Sequence, residues 1–191
     1  NYIGNLTNTI NEDDLLSIRK NYIKSLMDLN VSEKIITDKM PVNFRMIGLI
    51  LTAIPEAKII HLTRDPKATC WSNYKHYFAN ENGFTFDQED LARFFILYQE
   101  LMGFWHKSFP NKIHDISYER LTTHQEDETQ KLLKYCELDW DNNCLNFHKN
   151  TRAVHTASAS QVRQKMYQGS SDAWKKYEKF LQPLIMGLNQ T

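Results

Sequence analysis

Apolar side chains return at helical spacing in several stretches of the chain. The clearest is residues 87–107, where Leu91, Phe95 and Met102 belong to an i, i+3, i+4, i+7 series. This series predicts a helix that packs on the core. The other predicted helices are residues 11–30, with Asn11 as candidate N-cap, residues 42–54, 126–136 and 141–147, and a last amphipathic helix with Trp174, Tyr177, Leu181 and Leu184.

Three shorter stretches have the composition of strands. They are residues 35–37 in KIITDK, residues 58–63 in KIIHLT and residues 113–117 in KIHDISY; the second is apolar enough to predict a buried strand. The first two enclose the helix over residues 42–54, which predicts a βαβ unit with parallel strands. The predicted fold class is therefore α/β, a three-layer αβα arrangement with a central parallel sheet.

An arginine directly follows the second predicted strand. Asp65 and Pro66 end that strand and begin a helix, because Asp65 can accept from free helix amides and Pro66 lacks the amide that would be orphaned there. Arg64 therefore lies at a strand exit beside a helix N-terminus, where ligands bind in open α/β sheets. Ser72 lies about two turns into this helix, in position to join Arg64 on one phosphate. A surface ion pair for Arg64 and a solvated Ser72 are an equally good interpretation of this segment alone.

Further donors are predicted at the same sheet edge. Lys39 follows the first strand, so parallel pairing brings it to the edge where Arg64 emerges, and Tyr118 follows the third strand. Residues 150–171 are polar without clear periodicity, which predicts a functional loop held at its far end by the last helix. Donors that converge without an obvious base suit the transfer of an anionic group, where stabilisation of developing charge dominates catalysis.

Composition narrows the function classes. The 191 residues are enough for one domain, and the net charge of zero gives no reason to expect nucleic-acid binding or a polybasic membrane anchor. No stretch has the apolar length of a membrane span. Cys70, Cys136 and Cys144 form no CxxC pair, so reduced thiols in a cytoplasmic protein are expected, with one disulfide bridge left open as an alternative.

Motifs of several common enzymes are missing from the sequence. Neither GxxxxGK[ST] nor GxGxxG occurs, which disfavours a nucleotide kinase, and a GxSxG hydrolase motif is absent as well. The seven histidines are scattered, and His148 and His155 lack a partner at ligand-like spacing. We therefore expect no metal site.

Four motifs together resemble a known family, the sulfotransferases that use 3′-phosphoadenosine 5′-phosphosulfate (PAPS). They are ITDKMPVNFRMIGLI from Ile36, LTRDPKATCWSNY from Leu62, SYERL from Ser117 and TASASQVRQKMY from Thr156. The most similar branch is the bacterial sulfotransferases with tetratricopeptide repeats, which are related to tyrosylprotein sulfotransferases. The resemblance implies the P-loop-like sulfotransferase fold, with PAPS as co-substrate and a hydroxyl group as acceptor of the sulfuryl group.

The resemblance also implies roles for five residues. Arg64 and Ser72 match the pair that binds the 3′-phosphate of the nucleotide, and Tyr118 matches a tyrosine beside the nucleotide. Lys39 matches the lysine at the bridging oxygen between phosphate and sulfuryl group, where negative charge grows as the bond breaks. Ser158 matches a loop serine near the same phosphosulfate.

The chain departs from the family in two places. A basic residue is expected before Trp174, where this chain has Ala173. The candidates to replace it are Arg163, Lys165 and Lys175. The family's 5′-phosphosulfate loop and catalytic base do not precede Lys39, so we expect residues 1–191 to be the C-terminal portion of a single sulfotransferase domain, with tetratricopeptide repeats upstream. The alternative is a binding or scaffold module of the same fold without catalysis.

Overall fold

The structure is a computed structural model that describes residues 10–29, 33–78, 82–150 and 163–189. Contacts between residues divide the chain into two compact units, Asn1–Ala57 and Lys58–Thr191. That the whole chain belongs to one domain stays a prediction.

The described residues of the first unit form two α-helices. Helix α1, Glu12–Met27, begins at the predicted N-cap: the Asp14 amide donates to Asn11 Oδ1 at 2.9 Å, and the Asn11 amide donates to Asp14 Oδ2 at 3.1 Å. This reciprocal pair satisfies two amides that the helix itself leaves free. The predicted helix over residues 42–54 consists of a 3₁₀ helix, Pro41–Met46, followed by helix α2, Ile47–Ala53.

An ion pair joins the two helices of this unit. Arg19 of α1 donates two hydrogen bonds to the Glu56 carboxylate and a third to the Ala53 carbonyl oxygen at 3.3 Å. The bonds from Arg19 lower the pKa of Glu56 to about 2. The pair therefore ties α1 to the carboxyl end of α2 at neutral pH.

The predicted strand over residues 35–37 is wrong. Residues 35–40 are irregular, and the Ile35 and Ile36 side chains are exposed. A strand needs a neighbour to take its backbone hydrogen bonds, and no described residue pairs with this stretch. The βαβ unit predicted from this strand is wrong too, so the argument that placed Lys39 beside Arg64 on one sheet edge fails.

The second unit is built on a different βαβ arrangement, made by the other two predicted strands. Strands β1, Ile59–Thr63, and β2, Ile113–Ser117, form a parallel pair in which Thr63 lies opposite Ser117. The connection between them contains helix α3, Pro66–Tyr74, a 3₁₀ helix, Gly83–Phe86, and helix α4, Gln88–Ser108. In the described residues after β2, the chain forms helix α5, Tyr118–Thr123, helix α6, Gln125–Cys136, the 3₁₀ helices Asn142–Lys149 and Ser170–Phe180, and helix α7, Gln182–Leu188.

Helices contact both faces of this sheet. His61 of β1 bonds to Tyr98 of α4 on one face, and His114 of β2 stacks on Tyr135 of α6 on the other, with ring centroids 4.9 Å apart. Ile60 and Leu62 nevertheless stay exposed, so the prediction of a buried β1 is wrong: neighbouring helices cover the strand only partly. The α/β class is confirmed, and the three-layer P-loop-like arrangement stays a prediction.

The core of the second unit lies between α3, α4, the Ser170–Phe180 segment and α7. The predicted core role of α4 is confirmed, because Leu91 and Met102 are buried. Leu91 belongs to a cluster of buried side chains whose other members are Ala68, Cys70, Ala92, Phe95, Trp174, Leu181 and Leu184. The last helix therefore closes the core that α4 begins.

All three cysteines are free thiols, as the reduced interpretation predicted. Burial raises the pKa of Cys70 to about 12, which leaves that thiol protonated and unreactive. Among the helices of the described residues, none has both the length and the apolar character needed to cross a bilayer.

The close approach of α7 to α4 gives a stability prediction. A Cβ on Gly187 would lie 2.6 Å from Ala92 Cβ, whereas a Cβ on Gly103 would meet nothing within 4 Å. We expect Gly187→Ala to destabilise the protein by about 1–3 kcal/mol through overpacking, measured by urea unfolding. Gly103→Ala is the control and should stabilise α4 by about 0.5–1 kcal/mol. Equal stability of the two variants would contradict this packing.

Candidate functional site

Two predicted site residues meet where the parallel strands end. Arg64 directly follows β1 and Tyr118 directly follows β2, and the pairing of Thr63 with Ser117 brings both to one sheet edge. The guanidinium carbon of Arg64 lies 5.1 Å from the centroid of the Tyr118 ring, a cation–π contact. Helix α3 begins beside them as predicted, with Asp65 accepting from the Ala68 amide at 2.7 Å.

The C-terminal end of the predicted polar loop, residues 150–171, is hydrogen-bonded to Arg64. Gly169 turns the chain with a φ of 88°, a conformation that suits glycine. Arg64 Nη2 then donates to the Ser170 carbonyl oxygen at 2.7 Å, and Arg64 Nε donates to Ser171 Oγ at 3.2 Å. Ser170 Oγ donates to the Tyr118 hydroxyl at 3.0 Å. The guanidinium is thus held in one orientation from two sides.

A carboxylate completes the arrangement. Glu119 Oε1 accepts from Ser171 Oγ at 2.5 Å and from the Asp65 amide at 3.1 Å, and Oε2 accepts from Ser117 Oγ at 3.2 Å. Burial raises the pKa of Glu119, but these hydrogen bonds outweigh burial and hold it below its usual value. Glu119 is therefore ionised at neutral pH and faces Arg64 through the Ser171 hydroxyl.

Five residues make up what we call the Arg64 cluster: Arg64, Tyr118, Glu119, Ser170 and Ser171. The Arg64 guanidinium and the Glu119 carboxylate are connected through the Ser171 hydroxyl rather than by a direct ion pair. Of the five N–H groups of the guanidinium, the bonds to Ser170 and Ser171 engage two, and one of these goes to a neutral carbonyl oxygen. This geometry suits an anion, because an anionic oxygen is a stronger acceptor for a guanidinium than that neutral carbonyl oxygen and can take part in a bidentate pair.

The other predicted site residues do not join the cluster in the described part of the chain. Ser72 lies half-buried on α3, and no hydrogen bond connects it to Arg64 within that part. Ser158 lies outside the described residues. Lys39 is exposed and belongs to the Asn1–Ala57 unit. Their roles stay predictions from the family resemblance.

The replacement for the expected basic residue at Ala173 also stays a prediction. Among the candidates, Lys175 forms an ion pair with Asp172 at 2.6 Å, and Arg163 and Lys165 are exposed. A further cation, Lys67 of α3, has its Nζ 4.9 Å from the ring centroid of the buried Trp174. Trp174 is thus covered by a cation from α3.

Sequence reasoning missed Glu119, Ser170 and Ser171. A signal for Glu119 was present, since it follows Tyr118 at a strand exit that parallel pairing brings next to Arg64. A carboxylate near an arginine can hold it through strong, directional hydrogen bonds. Ser170 and Ser171 lie at the end of the predicted functional loop over residues 150–171, but the sequence did not single them out, because they reach Arg64 from more than 100 residues away.

Two comparisons relate the chain to known proteins. A family model described as the Sulfotransferase family matches residues 7–142. An uncharacterized protein of Aquifex aeolicus (strain VF5) is 38% identical over 174 residues, which cover 90% of this chain and 23% of that relative. The matched range of the family model includes Arg64, Tyr118 and Glu119 and ends before Ser170.

The lowered pKa of Glu119 predicts a pH-dependent contribution to stability. A carboxyl with a depressed folded-state pKa stabilises the fold above its unfolded pKa and loses that contribution as the pH falls through its folded value. We expect Glu119→Gln to cost about 1–2 kcal/mol near pH 7 and progressively less in acid, measured by urea unfolding across pH.

The matched control for this prediction is Glu100→Gln, on the exposed side of α4. It should change stability by less than about 0.5 kcal/mol at neutral pH. A Glu119→Gln penalty that stays constant from neutral to acidic pH would show that the Glu119 carboxylate is not held by these bonds.

Proposed function

Because this chain belongs to the sulfotransferase family, we propose that the complete protein transfers a sulfuryl group from PAPS to the hydroxyl group of an acceptor. The observation that carries the proposal is the Arg64 guanidinium, fixed over Tyr118 at the exit of a parallel strand pair. In this proposal the Arg64 cluster receives the 3′-phosphate of the nucleotide. The chain spans 23% of the length of its Aquifex relative, so the proposal concerns the whole protein.

The bonds of Arg64 support binding of a phosphate. The Ser170 carbonyl oxygen takes one N–H of Arg64 as a neutral acceptor, and a phosphate oxygen is the stronger acceptor. Ser171 and Glu119 keep the guanidinium in orientation while a phosphate oxygen replaces the Ser170 carbonyl as the acceptor. Ser72 contributes its hydroxyl to the same phosphate from α3, and Tyr118 lies beside the nucleotide.

The transfer step requires stabilisation of the leaving group. The acceptor hydroxyl oxygen attacks sulfur, the bond from sulfur to the bridging oxygen breaks, and adenosine 3′,5′-bisphosphate leaves with the electron pair. The proton of the hydroxyl passes to a base, which the motifs of this chain do not identify. Lys39 neutralises the charge that grows on the bridging oxygen, and Ser158 donates to the phosphosulfate.

The remaining features of the proposal come from the resemblance and from composition. The acceptor carries a hydroxyl group, and tetratricopeptide repeats lie upstream in the complete protein. The reduced thiols support a cytoplasmic protein. No metal ion takes part in the proposed transfer step.

The proposal predicts different losses for two variants of the complete protein. Lys39→Ala should lower kcat by roughly a hundredfold and leave the affinity for adenosine 3′,5′-bisphosphate nearly unchanged, because this product lacks the bridging bond. Arg64→Ala should mainly lose affinity for the nucleotide. Sulfuryl transfer from PAPS and calorimetric binding of the bisphosphate measure the two effects.

Lys34→Ala is the matched control, since this lysine is exposed and lies in the same segment as Lys39. It should change neither kcat nor nucleotide affinity. A tenfold loss of affinity in Lys39→Ala with unchanged kcat would make Lys39 an anchor for the nucleotide rather than a catalytic residue. Nucleotide binding without transfer to any acceptor would favour the non-catalytic binding module instead.

A further inference from the structure

A second cluster of polar side chains lies on the face of the sheet that contacts α4. His61 of β1 and Asp115 of β2 are directly paired in the parallel ladder, so both side chains leave the same face. Asp115 Oδ1 lies 2.6 Å from His61 Nδ1, and Asp115 Oδ2 lies 3.3 Å from His106 Nε2. His106 comes from the last turn of α4. The carboxylate thus lies between two imidazoles.

We infer that His61, His106 and Asp115 form a binding site for a divalent transition-metal ion such as Zn²⁺. Each residue offers one ligand atom, and these atoms lie within 4.8 Å of one another. Tetrahedral coordination at about 2.0–2.2 Å per bond brings ligand atoms to roughly 3.4 Å apart. To bind the metal, His61 Nδ1 and Asp115 Oδ1 separate from 2.6 Å, while the more distant ligand atoms approach. Hydrogen bonds between the residues are thereby exchanged for bonds to the metal. Two imidazoles with one carboxylate suit Zn²⁺ or another divalent first-row transition metal rather than Mg²⁺ or Ca²⁺.

Tyr98 of α4 orients the first imidazole. Its hydroxyl is hydrogen-bonded to His61 Nε2, while His61 Nδ1 faces Asp115. When Nε2–H donates to the Tyr98 oxygen, the lone pair of Nδ1 is left for the metal. Metal-binding histidines generally use their second ring nitrogen in this way. Tyr98 is therefore a positioning residue of the site.

The surroundings leave the site open to small molecules. The His61 side chain is 14% exposed, whereas those of His106 and Asp115 are 38% and 48% exposed. All three border an open pocket of about 550 Å³, together with Tyr98, Met102 and Thr63. Three protein ligands leave one tetrahedral position for water or another ligand from this pocket. The three ligands include no residue of the Arg64 cluster, although Arg64 borders the same pocket, and the metal site does not depend on the proposed transfer reaction.

The test is calorimetric titration of the tag-free, chelator-treated chain with zinc chloride. We expect one Zn²⁺ per chain, and His106→Ala should weaken its affinity at least tenfold because one ligand is lost. Tyr98→Phe should weaken it by about tenfold, which is the usual loss when such an orienting partner is removed. His76→Ala is the matched control, since His76 is exposed and outside the cluster, and it should bind like the unchanged chain.

The result that overturns the site is the absence of one-to-one binding, or binding that His106→Ala leaves unchanged. Unchanged affinity in His106→Ala would mean that the three side chains form only a hydrogen-bonded network. Circular dichroism checks that each variant folds. If His106→Ala does not fold, Asp115→Asn and His106→Gln replace it, and both should bind Zn²⁺ at least tenfold more weakly. Unchanged binding in these variants overturns the site as well.

Discussion

The parallel ladder between β1 and β2 is the constraint on which both polar clusters depend. Its register places Thr63 opposite Ser117, which brings Arg64 to Tyr118, and places His61 opposite Asp115 two residues earlier. Because side chains alternate between faces, a shift of one residue would send His61 and Asp115 to opposite faces and separate Arg64 from its partners. One pairing therefore positions the arginine that we propose as a phosphate ligand at the strand exits, and two of the three proposed metal ligands on the sheet face.

The parts of the fold that could be predicted from the sequence are those that depend on residues close together in the sequence. The caps Asn11 and Asp65, the apolar stripe of α4 and the strand exit of Arg64 depend on residues a few positions apart. The segment over residues 35–37 has strand composition, yet it is irregular, because pairing rather than composition decides whether a strand forms. Local signals thus predicted the position of Arg64 but failed for the strand before Lys39.

Long-range contacts account for what sequence reasoning missed in both clusters. Ser170 and Ser171 reach Arg64 across more than 100 residues, and His106 reaches Asp115 only because α4 lies on the sheet. The histidines are scattered in sequence, so sequence reasoning predicts no metal site, and the proposed site rests on the ladder that pairs His61 with Asp115. The position of Glu119, in contrast, follows from the sequence, because it comes directly after Tyr118. Only its hydrogen bond with Ser171 required the structure.

The central claim is that Arg64 receives the 3′-phosphate of the nucleotide. The most direct measurement compares calorimetric affinities for adenosine 3′,5′-bisphosphate and adenosine 5′-phosphate in the complete protein, in Arg64→Gln and in a control, Arg93→Gln, which lies exposed on α4. The account predicts at least a tenfold preference for the bisphosphate, which is roughly the value of one charge-assisted hydrogen bond. Arg64→Gln should abolish this preference, and Arg93→Gln should keep it. A preference that survives Arg64→Gln would contradict it.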